Sequence, residues 1–436
     1  MRWMNIEGPS KLEGSLSVPG SKNSSLAILA AACLASEPVT LKNIPNIADF
    51  KVLRQIGEEI GCIMERDSRG DVYIDPTKID NPIIEPEKSR KFRTAYYFIG
   101  ALLAKFGKVS LGYPGGDDFV SRPIDQHIKA FEKMGATFTF YEDYYVVEAQ
   151  KLKGATIYFD TITSGATINS MIAAVLAEGE TILLNAARDP EVTDTALFLN
   201  KMGARIIGAG TDTIKIKGVK NLNGCSYTVI PDRLIAGAFL ISSGITGGTI
   251  TVNDIIPEHL TSCLTKLEEI GVGLEIKGNN ITSFLDGRLK ASRVRTAMFP
   301  GFPTDLQQPL TVLLTQAQGK SILRETVYPN RFNHVYQLNK MGAAIEVSNG
   351  IAHIKGKSAL HGALVHASDV RAGICLMLAG VVAEGTTTIT GIEHIERGYD
   401  EAVAAFNSLG AKVSLHHSDE ITNDLLMMQE FEKIMR

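Results

Sequence analysis

The stretch that decides the fold is residues 155–216, ATIYFDTITSGATINSMIAAVLAEGETILLNAARDPEVTDTALFLNKMGARIIGAGTDTIKI. It predicts a strand over 155–159, a small-residue helix over 166–177, a strand over 181–184 and a second helix over 194–201. Gly203 stands where a helix would end on a left-handed cap. Strands over 205–207 and 213–216 then close the unit across a glycine-rich turn. Outward from Met202-Gly203-Ala204, the same signature recurs at Ile60-Gly61-Cys62, Met134-Gly135-Ala136, Ile270-Gly271-Val272, Met341-Gly342-Ala343 and Leu409-Gly410-Ala411. Successive glycines lie 74, 68, 68, 71 and 68 residues apart. One supersecondary unit has therefore been copied six times.

The sixth copy repeats the order of the third: strand 363–366, helix 370–382, strand 386–389, helix 400–409 and strand 412–415. LAEGETI at 176–182 and VAEGTTTI at 382–389 fill one slot, and LASEPVTL at 34–41 fills it in the first copy. Helices of copies one, three, four and six are rich in Ala, Gly, Ser and Ile, which predicts burial on most sides and close neighbours. Three copies per domain would give two similar α/β domains with a cleft between them. Residues 421–436, ITNDLLMMQEFEKIMR, predict an amphipathic helix outside the repeat.

With 436 residues and 44% hydrophobic content, the chain can bury a core divided between two domains. A net charge of -4 excludes a general polyanion binder, so any anion site must be local. Five cysteines without a CxxC pair point to a reducing cytoplasm. The apolar run over 26–34 is too short to span a bilayer. No HExxH, GxSxG, Walker loop or strand-borne GxGxxG occurs.

Several segments carry candidate chemistry. Gly20-Ser21-Lys22-Asn23 opens the first small-residue helix, where N–H groups and a lysine favour an anion, or where Ser21 or Asn23 caps and Lys22 is solvated. Residues 114–123, PGGDDFVSRP, join a flexible loop to Asp117, Asp118 and Arg122. Asp305 and Asp369 each precede an apolar helix, as an N-cap would. Arg93, Arg122, Arg331, Arg371 and Arg397 fall at or near loop–helix junctions. Guanidinium forks there suit carboxylate and phosphate.

Together, GSKN at 20–23, PGGDDFVSRP at 114–123, NAARDPEVTDTA at 185–196, FPTDLQ at 302–307, ETVYPNRFNHV at 325–335, ASDVRA at 367–372 and HIERGY at 394–399 strongly resemble the UDP-N-acetylglucosamine enolpyruvyl transferases (1-carboxyvinyltransferases). The resemblance runs from about residue 5 to 415 in the family's order. It implies an α/β, two-domain inverse α/β barrel-like fold of six βαβαββ repeats, with the active site in the interdomain cleft. It further implies one domain over 21–229 and another formed by 1–20 plus 230–436. The implied partners are phosphoenolpyruvate and UDP-N-acetylglucosamine, without cofactor, metal, nucleic acid or membrane, in the cytoplasm.

By matching positions, Lys22, Arg122 and Arg397 would hold phosphate, while Arg331 and Arg371 would lie near the carboxylate. Asp305 would take the proton of the sugar hydroxyl. The sugar nucleotide would contact Asn23, Arg93, the run Arg122, Pro123, Ile124, Asp125 and Gln126, and Val327. Thr161, Ile162, Thr163 and Ser164 would join them, and Asp369 would lie in the same substrate site. Asp117 stands where the family usually has cysteine, as the proton donor or as a loop-closure element only, and the epoxide fosfomycin should not alkylate the protein. Another nucleotide acceptor, or a catalytically silent sugar-nucleotide-binding paralogue, is the alternative.

Overall fold

The structure, a computed structural model, describes residues 2–91, 93–113, 115 and 123–417, with the backbone alone at 91, 93 and 94. The third unit follows its predicted order. Thr156–Tyr158 runs parallel to Glu180–Leu184, Thr213–Lys217 pairs antiparallel to the latter, and Arg205–Ile207 forms the far edge. Its helices are Ser164–Ala174 and Pro190–Lys201, the second starting on a proline whose missing N–H costs nothing at a first turn.

Glycine ends the second helix of every unit for one reason. Gly61, Gly135, Gly203, Gly271, Gly342 and Gly410 all have φ between 91° and 107°, a left-handed backbone that side chains resist. The repeat is legible because this geometry recurs.

Three units do not close within their own stretch of chain. The first takes its parallel edge strand from Ser226–Thr228, which pairs with Val39–Lys42. The fourth takes Glu13–Ser17, paired with Thr249–Asn253. In the sixth, Arg2–Gly8 lies antiparallel between Gly385–Thr390 and Val413–His417, with Met4 opposite both Ile389 and Leu415. The sixth unit also departs from its predicted helix over 400–409. Glu401 adopts φ 48° and only Ala402–Ser408 is helical, behind a separate short helix Ile392–Glu396.

Two apolar cores result. One draws on residues 26–229, the other on 4–18 and 234–413. At the centre of the first, helices Lys22–Ala32, Tyr97–Phe106 and Ser164–Ala174 pack together. Arg233–Thr246, Gln307–Gln316 and Val370–Val382 do the same in the second. Helices fill the middle and sheets surround them, the reverse of an ordinary barrel. Small residues permit the approach: a Cβ on Gly100 would stand 2.6 Å from the Asn169 carbonyl oxygen. Gln307–Gln316 was not among the helices expected to be buried, yet every residue in it is, including Gln307, Gln308, Thr311 and Thr315.

The chain passes between the cores twice, and the two passages bind each other. Gly20 and Pro231 form an antiparallel bridge, Ser21 N–H donates to the Ile230 carbonyl at 2.7 Å, and Asp232 N–H donates to that of Pro19 at 2.9 Å. This crossing sets the first site residues in place.

Candidate active site

Helix Lys22–Ala32 begins immediately after the crossing. Ser21 caps it, its hydroxyl oxygen accepting from Ser24 N–H at 3.3 Å. Lys22 is not solvated. Its Nζ lies 2.7 Å from Asp49 Oδ2 and donates to the Arg397 carbonyl at 2.9 Å. Arg397 donates from Nε to Asp49 Oδ1 at 3.0 Å. Asp49 is in the first turn of helix Ala48–Ile60, where the helix dipole favours a carboxylate. Burial alone would raise its pKa, but Lys22 and Arg397 together hold it below the usual range. For Lys22, burial outweighs Asp49 and lowers the pKa.

A second cluster forms around Asp305, in the turn Thr304–Leu306. Asp305 caps no helix. Arg331 Nη1 lies 2.6 Å from its Oδ1, and Arg371 reaches Oδ2 through Nε at 3.2 Å and Nη2 at 3.1 Å. Burial opposes ionisation of Asp305, yet the two guanidiniums drive its pKa far below the usual carboxylate range. Asp369 caps helix Val370–Val382, accepting from the N–H groups of Arg371 at 2.8 Å and Ala372 at 3.0 Å. It thereby fixes the backbone from which Arg371 extends. Arg371 Nη1 donates to Tyr399 Oη at 3.2 Å. Burial pushes the Tyr399 phenol up to about 12, so it stays neutral near pH 7.

The clusters adjoin. The charge of Arg371 is felt at Lys22, and Asp232 accepts from Lys22 N–H at 3.0 Å while capping helix Arg233–Thr246. Of the five arginines expected to converge, Arg331, Arg371 and Arg397 do so. Asp117 and Arg122 lie outside the described residues, as do the side chain of Arg93 and the helix expected after 418.

The polar loop residues gather in the first core. Gln126 accepts from Asp160 N–H at 2.9 Å and donates to the Asp160 carboxylate at 3.3 Å and to that of Asp125 at 2.8 Å. This joins residues 123–126 to residues 161–164. Thr163 caps helix Ser164–Ala174, and Ser164 Oγ donates to Asp189 Oδ2 at 2.8 Å. Ile124 and Ile162 pack partly buried against the core, whereas Asn23 and Thr161 are exposed. On the other side, Val327 N–H donates to the buried Glu325 carboxylate at 2.8 Å.

Asp49, Asp232 and Tyr399 escaped the sequence reading. Asp49 resembles any acidic first-turn residue, and its partner Arg397 is 348 positions away. Among the described residues, no group of three or more His, Cys, Asp and Glu is placed to hold a metal ion, and no helix is long and apolar enough to cross a membrane. No cysteine is disulfide-bonded.

Six units with central helices, and paired cationic clusters at a double crossing, define the architecture of an enolpyruvyl transferase. The likeness to solved structures bears this out for the fold. The enolpyruvyl transferase NikO of Streptomyces tendae superposes with TM-score 0.88 at 24% identity, covering 96% of this chain and 99% of that one. EPSP synthase of Acinetobacter baumannii gives TM-score 0.73 at 20% identity, over 96% and 100%. A family model described as EPSP synthase (3-phosphoshikimate 1-carboxyvinyltransferase) matches residues 6–406, and the chain belongs to that family. It is 46% identical to the UDP-N-acetylglucosamine 1-carboxyvinyltransferase of Clostridium botulinum over 95% of this chain and 99% of that protein. It is 44% identical to UDP-N-acetylglucosamine 1-carboxyvinyltransferase 2 of Bacillus subtilis over 95% and 96%.

Proposed function

We propose that the protein transfers the enolpyruvyl group of phosphoenolpyruvate to the 3′-hydroxyl of UDP-N-acetylglucosamine and releases phosphate, a step of peptidoglycan synthesis. The observation that carries this reading is the adjoining pair of cationic clusters, Lys22 and Arg397 about Asp49, and Arg331 and Arg371 about Asp305. A small metabolite with phosphate at one end and carboxylate at the other matches two such groups side by side. The similarity to enzymes named for this acceptor supports the choice of sugar nucleotide.

In this reading the cores are two domains, 21–229 and 1–20 plus 230–436, and the substrates lie between them. Lys22, Arg397 and Arg122 take the phosphate, and Arg331 and Arg371 take the carboxylate. Asn23, Arg93, residues 123–126, residues 161–164 and Val327 receive the sugar nucleotide. Asp369 contributes by setting Arg371.

The chemistry requires an acid, a base and dense positive charge with water excluded. Protonation of the methylene carbon makes the central carbon electrophilic, and the acceptor oxygen attacks it while its proton passes to Asp305. The tetrahedral ketal then loses phosphate, and a proton leaves the new methyl group to restore the double bond. Asp117 holds the sequence position of the methylene proton donor. Because a carboxylate is a far weaker nucleophile than a thiolate, fosfomycin is expected to leave activity intact.

The test is phosphate release from phosphoenolpyruvate with and without UDP-N-acetylglucosamine. Release that depends on this acceptor is expected. Release only with a different nucleotide, or tight acceptor binding without any turnover, would refute the assignment.

A further inference from the structure

The two clusters are built alike but are not equally closed. Each places one carboxylate between two cations. The Asp49 side chain is 6% exposed, whereas that of Asp305 is 25% exposed although both arginines gripping it are 5% exposed. Asp49 is thus a sealed member of its cluster, and Asp305 is the accessible face of the other.

Arg331 Nη1 also reaches Thr304 Oγ1 at 3.2 Å, on the turn that carries Asp305. Arg371 is held from behind. It is fixed through Nη1 to Tyr399, with the guanidinium 5.7 Å from that ring's centroid, and its backbone is anchored by Asp369. The turn under Asp305 is anchored by Thr304, whose hydroxyl donates to the Glu325 carboxylate at 2.8 Å. Among the described residues, however, the Asp305 carboxylate itself is held by the two arginines alone and caps nothing. Arg371 presents to it the edge formed by Nε and Nη2, the edge from which a guanidinium grips a carboxylate with two parallel bonds. Any other carboxylate seeking that edge must displace Asp305.

We propose that Asp305 is an internal competitor for the carboxylate end of phosphoenolpyruvate. It occupies the guanidinium edges that the substrate's carboxylate takes, and is released as a base only when that carboxylate arrives. The inference rests on the enolpyruvyl-transfer reading above. A carboxylate shared between two guanidiniums is a poor proton acceptor, and one relieved of them is a better one. The acceptor hydroxyl is therefore activated only once the electrophile is in position.

The experiment is calorimetric binding of phosphoenolpyruvate and, separately, inorganic phosphate to the whole protein and to Asp305→Asn, with UDP-N-acetylglucosamine present and absent. Asparagine keeps the shape but cannot compete as an anion. Phosphoenolpyruvate should bind the variant roughly tenfold more tightly, the scale of one close charge pair. Inorganic phosphate, which is assigned to Lys22, Arg397 and Arg122 and not to the Asp305 cluster, should bind as in the parent and so report an intact fold. Should Asp305→Asn not fold, Asp305→Ser carries the same expectation. Unchanged or weaker binding of phosphoenolpyruvate overturns the inference, as does an equal gain for both ligands, which would mark a general charge effect. If the parent protein binds inorganic phosphate but never phosphoenolpyruvate, the proposed reaction itself falls, and this inference with it.

Discussion

Glu191 and Arg233 form a buried ion pair between the two cores, Nε and Nη2 of the guanidinium donating to the two carboxylate oxygens at 3.1 and 3.2 Å. Glu191 lies in helix Pro190–Lys201 and Arg233 opens helix Arg233–Thr246, directly after the second passage of the chain. Asp189 stands 3.7 Å from the same guanidinium, and its other oxygen receives Ser164. A seam residue is thereby linked to the polar loops of the first core.

Breaking this pair from one side should be costly. Glu191→Gln leaves a buried cation short of charge, an expected loss of about 3–5 kcal/mol, whereas Glu191→Met with Arg233→Met should recover much of it. Urea unfolding measures both. A Glu191→Gln midpoint equal to that of the parent would show that the pair does not tie the cores together.

Asp49 should matter to turnover although no substrate role is assigned to it. Asp49→Asn removes the charge that fixes Lys22 and Arg397 relative to each other, and misplaced binding groups cost about 100-fold in rate. The fall should appear in kcat/KM for phosphoenolpyruvate by phosphate release, with circular dichroism confirming the fold. An unchanged value would mean the two cations hold their positions without it.

At Arg371, charge alone should not suffice. Arg371→Lys keeps the cation but loses the two-pronged edge and the link to Tyr399. A drop of about 30-fold or more in kcat/KM for phosphoenolpyruvate is expected, at the lower end of a lost buried charge contact. The KM for the sugar nucleotide should move much less. A parallel rise in both KM values would place Arg371 in general support of the site.

Asp194 gives a pH signature. It is buried and receives Tyr227 Oη at 2.6 Å and Ile230 N–H at 3.4 Å. Burial overcomes these bonds and raises its pKa to about 6, above an unfolded value near 3.9. The folded form holds the proton more tightly, so the stabilisation is complete below pH ~4 and is lost as pH rises through about 6. The term is on the order of 2–3 kcal/mol. Asp194→Asn should remove it, so the difference between variant and parent in unfolding free energy should change across this window. A difference independent of pH would assign the proton elsewhere.

The repeat was legible because its punctuation is geometric: a left-handed residue after each second helix admits glycine best, and glycine is visible in sequence. Helix Val370–Val382 agrees with its predicted limits for a related reason, Asp369 capping one end and an unbroken apolar run filling the rest. Strand exchange was hidden, since nothing in Arg2–Gly8 names a partner almost four hundred residues on. The burial of Gln307 and Gln308 was hidden too, because polar side chains follow no apolar period. In the site, the arginine-bearing motifs could be read as anion groups, but their countercharges could not. Which carboxylate faces which guanidinium depends on the meeting of distant chain segments.

The strand Arg2–Gly8 is made long before the two strands that flank it. Emerging from the ribosome, it must wait for residues 385–417 before it can take its place in the middle of their sheet. Until then it has no strand to pair with, and the second body stays open while the first can already close. Bulky additions fused directly before residue 2 would therefore burden the assembly of the sixth unit, far along the chain from where they were attached.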